Sequence, residues 1–207
     1  MTGNFQLFDR QLFNPYICIM DFSSDLEKCL EVLHAGGLIL YPTDTVWGIG
    51  CDATNAAAVQ KVYEIKKRPE SKSMIVLLAD ERDLLQYVAN ADLAVFDYLN
   101  TVAKPTTVIY DGAIGLADNL VNQDGSVAIR IVQETFCRHL IKRFRKPLVS
   151  TSANISGAQT PRIFGEISFD IQTQVDYIVQ YRQQDTTLAG PSAVIRWNKG
   201  QVEIIRP

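Results

Sequence analysis

Over its first two thirds the chain alternates segments of helical period with short apolar runs, and this alternation restricts the fold more than any other feature. In "SSDLEKCLEVLHAGG" Leu26, Leu30 and Leu33 share one helical face, Ser24 and Glu27 have capping-box spacing, and Gly36 and Gly37 end the segment. "LILY" (38–41) follows as a short, wholly apolar strand, and "PTDTVWGIGCDAT" reads as a loop rich in turn formers. Asn55 can cap the next helix, "AAAVQKVYEIKK", which Pro69 stops. Strands are predicted at "MIVLLA" (74–79), "TTVIY" (106–110), "SVAIRIV" (126–132) and "PLVS" (147–150). Helical stretches are predicted around 81–88 and 92–99 and over "ETFCRHLIKRFR" (134–145). The tail holds "VDYIVQ", "SAVIRW" and "VEIIR", the last two joined by the hairpin turn "NKG". The pattern predicts an α/β protein with a single-domain twisted mixed sheet and helices.

A chain of 207 residues can bury a sizeable core, and no linker, repeat or low-complexity run divides it. One domain over 1–207 is expected, with an N-terminal extension at 1–20 and a core from about 24 to 207. The net charge of -3 and a pI near 5.4 argue against a general polyanion binder but leave room for a local basic pocket. The first twenty residues lack the basic and apolar regions of a signal peptide, and no apolar run is long enough to span a bilayer, so a cytoplasmic location without membrane attachment is expected. Cys18, Cys29, Cys51 and Cys137 are widely spaced, which predicts buried free thiols and no structural metal. His34 and His139 have no Ser, Cys or carboxylate in a catalytic arrangement, so chemistry run by a histidine base is not expected.

Four stretches could carry chemistry. "GIGCDA" matches GxGxxA, but "PTDTVW" separates it from the strand and no acidic ribose partner follows, so a dinucleotide site is not expected. "PTDT" places Thr43, Asp44 and Thr45 just after a strand, where small ligands bind in α/β sheets; a plain turn is the alternative. "STSANISG" (150–157) offers small hydroxyls and backbone amides that could cradle an anion or a ribose, or simply connect two elements. "EIKKRPESKS" (64–73) concentrates Lys66, Lys67, Arg68 and Lys72 at a helix end. Cations there complement the helix dipole. The cluster continues beyond Pro69, however, and would suit a polyphosphate, with Arg68 binding bidentately and the lysines as point charges. In "SVAIRIV", Arg130 shares a strand face with Ser126 and Ala128, which either lines a cleft or faces solvent.

Taken together, "LILYPTDTVWGIGCDA", "IKKRPESKSMIVLL", "SVAIR", "PLVSTSANISG" and "IIRP" resemble the YrdC family of threonylcarbamoyl-AMP synthases, over about residue 24 to the end. The family's KxR and SxN marks correspond to Lys66, Arg68, Ser152 and Asn154. The resemblance implies a twisted α/β sheet around a large, positively lined cavity. It implies a nucleotidyltransferase reaction in which L-threonine, bicarbonate and ATP give threonylcarbamoyl-AMP and pyrophosphate, for tRNA modification completed by downstream partner proteins. It implies Lys66 and Arg68 as catalytic residues, and Lys66, Arg68, Lys72, Ser126, Asn154 and Arg206 on the ATP side. Thr45, Arg130, Ser152 and Ser192 fall on the threonine side, and Mg²⁺ accompanies ATP. Lys67 matches no motif position and is expected to be solvated. The chain departs from the family pattern at "VAKP" (102–105) in place of WPGP, at Arg162, at Ala193 and at Trp47. Two other readings stay open: an RNA-binding module of the same fold, with weak RNA affinity, and a paralogue adenylating a different carbamoyl substrate.

Overall fold

The computed structural model describes residues 22–198 and 200–207; the expected extension at 1–20 and Cys18 lie outside them. The helices are α1 (Ser23–His34), α2 (Ala56–Lys66), α3 (Val95–Leu99), α4 (Thr135–Phe144) and α5 (Phe169–Gln172). The strands are β1 (Ile39–Tyr41), β2 (Gly48–Gly50), β3 (Ile75–Leu78), β4 (Thr106–Tyr110), β5 (Val127–Ile131), β6 (Leu148–Ser152), β7 (Tyr177–Ile178), β8 (Ala193–Asn198) and β9 (Gln201–Arg206).

These strands form one sheet in the order β7-β1-β2-β6-β3-β5-β4-β8-β9. The pairs β1/β7, β3/β5 and β4/β8 are parallel and the others antiparallel, so the sheet is mixed as expected. Register decides which side chains share a face, because residues directly opposite one another point the same way. Ile75 lies opposite both Ala128 and Ser150, Leu77 opposite Arg130, and Gly48 opposite Ser152. Arg130, Ser150 and Ser152 therefore stand on one face. Val76, Ile129 and Val149 are matched on the other, where all three are buried in the core.

Side-chain caps start α2 and α4. The Asn55 side chain accepts from the Ala57 and Ala58 amides and starts α2, as its position predicts. The Glu134 carboxylate accepts from the Cys137 amide and starts α4. The expected Ser24–Glu27 capping box is not what starts α1. Phe22 occupies the N-cap without a side-chain bond, held instead against the rings of Phe136 (5.5 Å) and Tyr181 (4.9 Å). Packing overrides the capping signal.

Other boundaries also differ from expectation. The loop after β1 contains β2, whose glycines have little strand propensity and whose pairing with β1 and β6 makes it a strand. A Cβ on Gly50 would meet a Tyr41 ring carbon at 2.5 Å and the Val149 carbonyl at 2.8 Å, so these glycines serve close strand packing. The stretch 81–88 is a 3₁₀ turn over Glu81–Gln86, and 92–99 shortens to α3. "VDYIVQ" yields only the two-residue β7, while β6 runs on to Ser152 and so carries two of the hydroxyls assigned to a loop. Cys29, Cys51 and Cys137 are buried free thiols. Among the described residues, no helix is long and apolar enough to cross a membrane.

Helix α2 ends where Lys67 turns into the left-handed region at φ 47. That position favours glycine, because a Cβ there is strained. Lys67→Gly is expected to raise stability by about 0.5–1 kcal/mol, seen as a higher denaturant midpoint with an unchanged m-value.

Candidate active site

The loop between β1 and β2 brings "PTDT" over the Arg130 face. Arg130, 3% exposed, places Nη2 3.0 Å from Asp44 Oδ1 and donates from the same nitrogen to Thr45 Oγ1 at 3.3 Å. Asp44 is itself held: its Oδ2 accepts from the Gln133 amide at 3.1 Å. Arg130 Nε is a buried donor with no hydrogen-bond partner among the described residues.

The cleft holds about 210 Å³ and is lined by Thr45, Val46, Gly48, Arg68, Ser73, Met74, Ile75, Arg130, Ser150, Thr151, Ser152, Thr160, Pro191, Ser192 and Arg206. Three arginines line it and no carboxylate does. The volume falls below the roughly 300–1,000 Å³ of pockets that enclose drug-sized ligands.

Arg68 and Arg206 are oriented by backbone carbonyls. Arg68 donates from Nε to Lys72 O (2.6 Å) and from Nη2 to Ser73 O (2.9 Å), and burial lowers its pKa. Arg206 donates from Nε and Nη2 to Ser192 O (3.1 and 2.9 Å). Burial lowers the Arg206 pKa first and the nearby Arg130 charge second, so these two guanidiniums lie within electrostatic reach. The Ser192 hydroxyl is 2.9 Å from that of Thr107, which is fully buried.

Of the residues selected from sequence, Thr45, Arg68, Arg130, Ser152, Ser192 and Arg206 line this cleft. Lys66, Lys72, Ser126 and Asn154 do not. Lys66 is 1% exposed and donates to the Ser152 and Asn154 carbonyls at 2.5 and 2.7 Å, while its own carbonyl accepts from the Ser156 amide. Burial holds the Lys66 amine down to about 7, and the Arg68 charge adds to the effect. Its ammonium pins the SxN segment instead of facing the cleft. The Asn154 side chain accepts from the Ser152 hydroxyl (2.6 Å) and donates to Ala158 O (2.7 Å). Ser126 accepts from Asn122 Nδ2 (3.0 Å) and closes the turn before β5. The Lys72 side chain is exposed.

Sequence reasoning gave no role to Thr107 or Arg182, and named Thr43 and Asp44 without partners. Arg182, at φ 65, donates to Thr43 O (3.2 Å) and pairs with Asp185 (2.9 Å), tying the "PTDT" loop to the segment that ends at Ser192. The "PTDT" turn was the available signal for Thr43 and Asp44. Thr107 sits in an ordinary β-branched run that carries none.

The fold is thus that of an α/β protein whose mixed, twisted sheet carries an arginine-lined, hydroxyl-bearing cleft. Residues 31–207 match the Sua5/YciO/YrdC family model, described as "Telomere recombination", and the chain belongs to that family. A threonylcarbamoyl-AMP synthase of Idiomarina loihiensis is 33% identical over 178 residues, 83% of this chain and 95% of that protein. One from Pseudoalteromonas translucida is 32% identical over 163 residues, 77% of this chain and 87% of that protein. P. abyssi Sua5 complexed with L-threonine has a TM-score of 0.76 and 21% identity. That match covers 89% of this chain but only 54% of the Sua5 chain, so the likeness speaks for the fold alone.

Proposed function

We propose that the chain, acting as one unit over about 24–207, is a nucleotidyltransferase that forms threonylcarbamoyl-AMP from L-threonine, bicarbonate and ATP. The observation that carries this reading is a cleft that Arg68, Arg130 and Arg206 line together with the hydroxyls of Thr45, Ser152 and Ser192. An amino acid carboxylate suits that cationic, hydroxyl-bearing lining, and a cleft of about 210 Å³ suits an amino acid better than a whole nucleotide. The triphosphate would extend outward past Arg68 toward exposed Lys72. The two synthases at 32–33% identity support the same substrates.

In this reading the neutral threonine amine adds to carbon dioxide with release of a proton, or condenses with bicarbonate with loss of water and no net proton. The carbamate oxygen then attacks the α-phosphorus, and the bond to the β-phosphate oxygen breaks as pyrophosphate leaves. Two anions must meet, so the site works by charge neutralisation and alignment and needs no protein nucleophile. Arg130 and Ser192 would hold the carboxylate, and Arg68 and Arg206 the phosphates. Lys66 and Asn154 would act by holding the Ser152 segment in place, and Ser126 by fixing the turn that feeds β5. The cleft residues offer guanidiniums and hydroxyls, which do not suit a protein-held Mg²⁺; the ion belongs with the phosphates of ATP, as part of the substrate. The product would pass to tRNA-modifying partners in the cytoplasm.

The test is pyrophosphate release in ATP, Mg²⁺ and bicarbonate with each amino acid in turn. Threonine is expected to stimulate release; no stimulation above the control without amino acid overturns the reading. Arg68→Ala should lose most of that release while keeping the fold, whereas Lys67→Gly, outside the cleft, should retain it.

A further inference from the structure

The "PTDT" loop carries a hydrogen-bond chain whose direction can be worked out atom by atom. Thr43 Oγ1 lies 2.8 Å from the Val46 carbonyl, which can only accept, so the one Thr43 hydroxyl proton points there. Thr43 Oγ1 is also 3.0 Å from Thr45 Oγ1 and 3.0 Å from the Thr45 amide nitrogen. With its proton committed, Thr43 can only accept from both, and the Thr45 hydroxyl proton points at Thr43. On its other side Thr45 Oγ1 accepts from Arg130 Nη2, whose position Asp44 fixes. Thr45 is left with one lone pair and no proton for anything in the cleft it lines. Both threonines are buried, which keeps bulk water from reversing the chain.

We propose that Thr43 is a positioning residue that makes Thr45 an acceptor-only group, and that Thr45 takes an N–H of the substrate's neutral amine. This rests on the synthase reading above. The amine must attack through its nitrogen lone pair. A hydroxyl free to donate would bind that lone pair and withhold it. A fixed acceptor binds an N–H instead, orients the nitrogen and leaves the lone pair open toward the carbon it attacks.

The experiment measures binding of two threonine-like acids by calorimetry, each in competition with threonine. One is 2,3-dihydroxybutanoate, whose 2-hydroxyl stands in for the amine and can donate. The other is its 2-methoxy ether, which can only accept. Both keep the carboxylate for Arg130. Wild type is expected to prefer the hydroxy acid by at least about tenfold, since a buried acceptor facing an acceptor is left unpaired. In Thr43→Val the Thr45 hydroxyl loses its fixed acceptor and can turn to donate. The preference should then fall several-fold while ATP affinity holds, and Thr43→Ser should restore it. An unchanged preference in a folded Thr43→Val overturns the proposal. If that variant does not fold, wild type decides: equal affinity for the two acids overturns it, as does failure of the hydroxy acid to bind. Failure of the synthase reading is separate, appearing as no threonine-stimulated pyrophosphate release by wild type.

Discussion

Arg130→Ala is expected to abolish threonine-dependent pyrophosphate release and to cost about 3–5 kcal/mol of folding stability at the same time. The two effects share one cause. Arg130 and Asp44 are 3% and 10% exposed, and their ion pair spans 3.0 Å. Removing the guanidinium leaves the Asp44 carboxylate in the interior with only the Gln133 amide as a donor. It also removes one of the three guanidinium side chains that line the cleft, the one to which the proposed carboxylate contact is assigned. Activity loss through unfolding and activity loss through the missing anchor are separated by Asp44→Asn/Arg130→Ala. The asparagine keeps an oxygen for the Gln133 amide but carries no charge, so most of the stability should return in urea titrations. Turnover should not return with it. A double variant that regains both would show that Arg130 matters for the fold and not for the substrate.

The sheet was readable where a strand is apolar enough to announce itself. "MIVLLA", "TTVIY" and "SVAIRIV" contain β3, β4 and β5, because a strand in the middle of a sheet is rich in branched apolar residues whatever its neighbours. Gly48–Gly50 was unreadable for the opposite reason. Its conformation comes from partners in β1 and β6, and its glycines are there to let Tyr41 and Val149 approach. Residue type was legible in the site, but aim was not. Arg130 could be put on a strand face with Ser126 and Ala128 by alternation, and of these three it is Arg130 that lines the cleft. Lys66 and Lys67 are adjacent cations at a helix end, and spacing alone does not say which turns inward. The helical phase puts Lys66 against the "STSAN" segment, and the left-handed turn at Lys67 redirects the chain before Arg68. Asp44 and Thr43 acquire their roles only when the distant β5 brings Arg130 beneath their loop.

The buried Lys66 amine leads to the second large effect, and to a pH dependence of definite sign. Lys66→Met keeps an apolar stem in the pocket but leaves the Ser152 and Asn154 carbonyls without their donor, at about 1–3 kcal/mol for each buried group. The Ser152 hydroxyl and the SxN turn lose their anchor, so turnover is expected to fall about 100-fold or more, as when a positioned group shifts by an ångström. The folded-state pKa is held down to about 7 by burial, against about 10.4 in the unfolded chain. Between those values the unfolded chain binds one proton more than the folded one, so this lysine adds stability as pH rises through 7 and withholds it below. The neutral amine still has two N–H groups for its two carbonyls, so deprotonation removes the charge without removing the bonds. The stability gap between wild type and Lys66→Met should therefore widen by about 2 kcal/mol from pH 6.5 to 8.5. The three buried thiols, whose pKa values burial pushes up, are common to both proteins and cancel in that difference. Urea titrations at a series of pH values check it, and a gap that stays constant or narrows would place a protonated Lys66 in the folded state across the whole range.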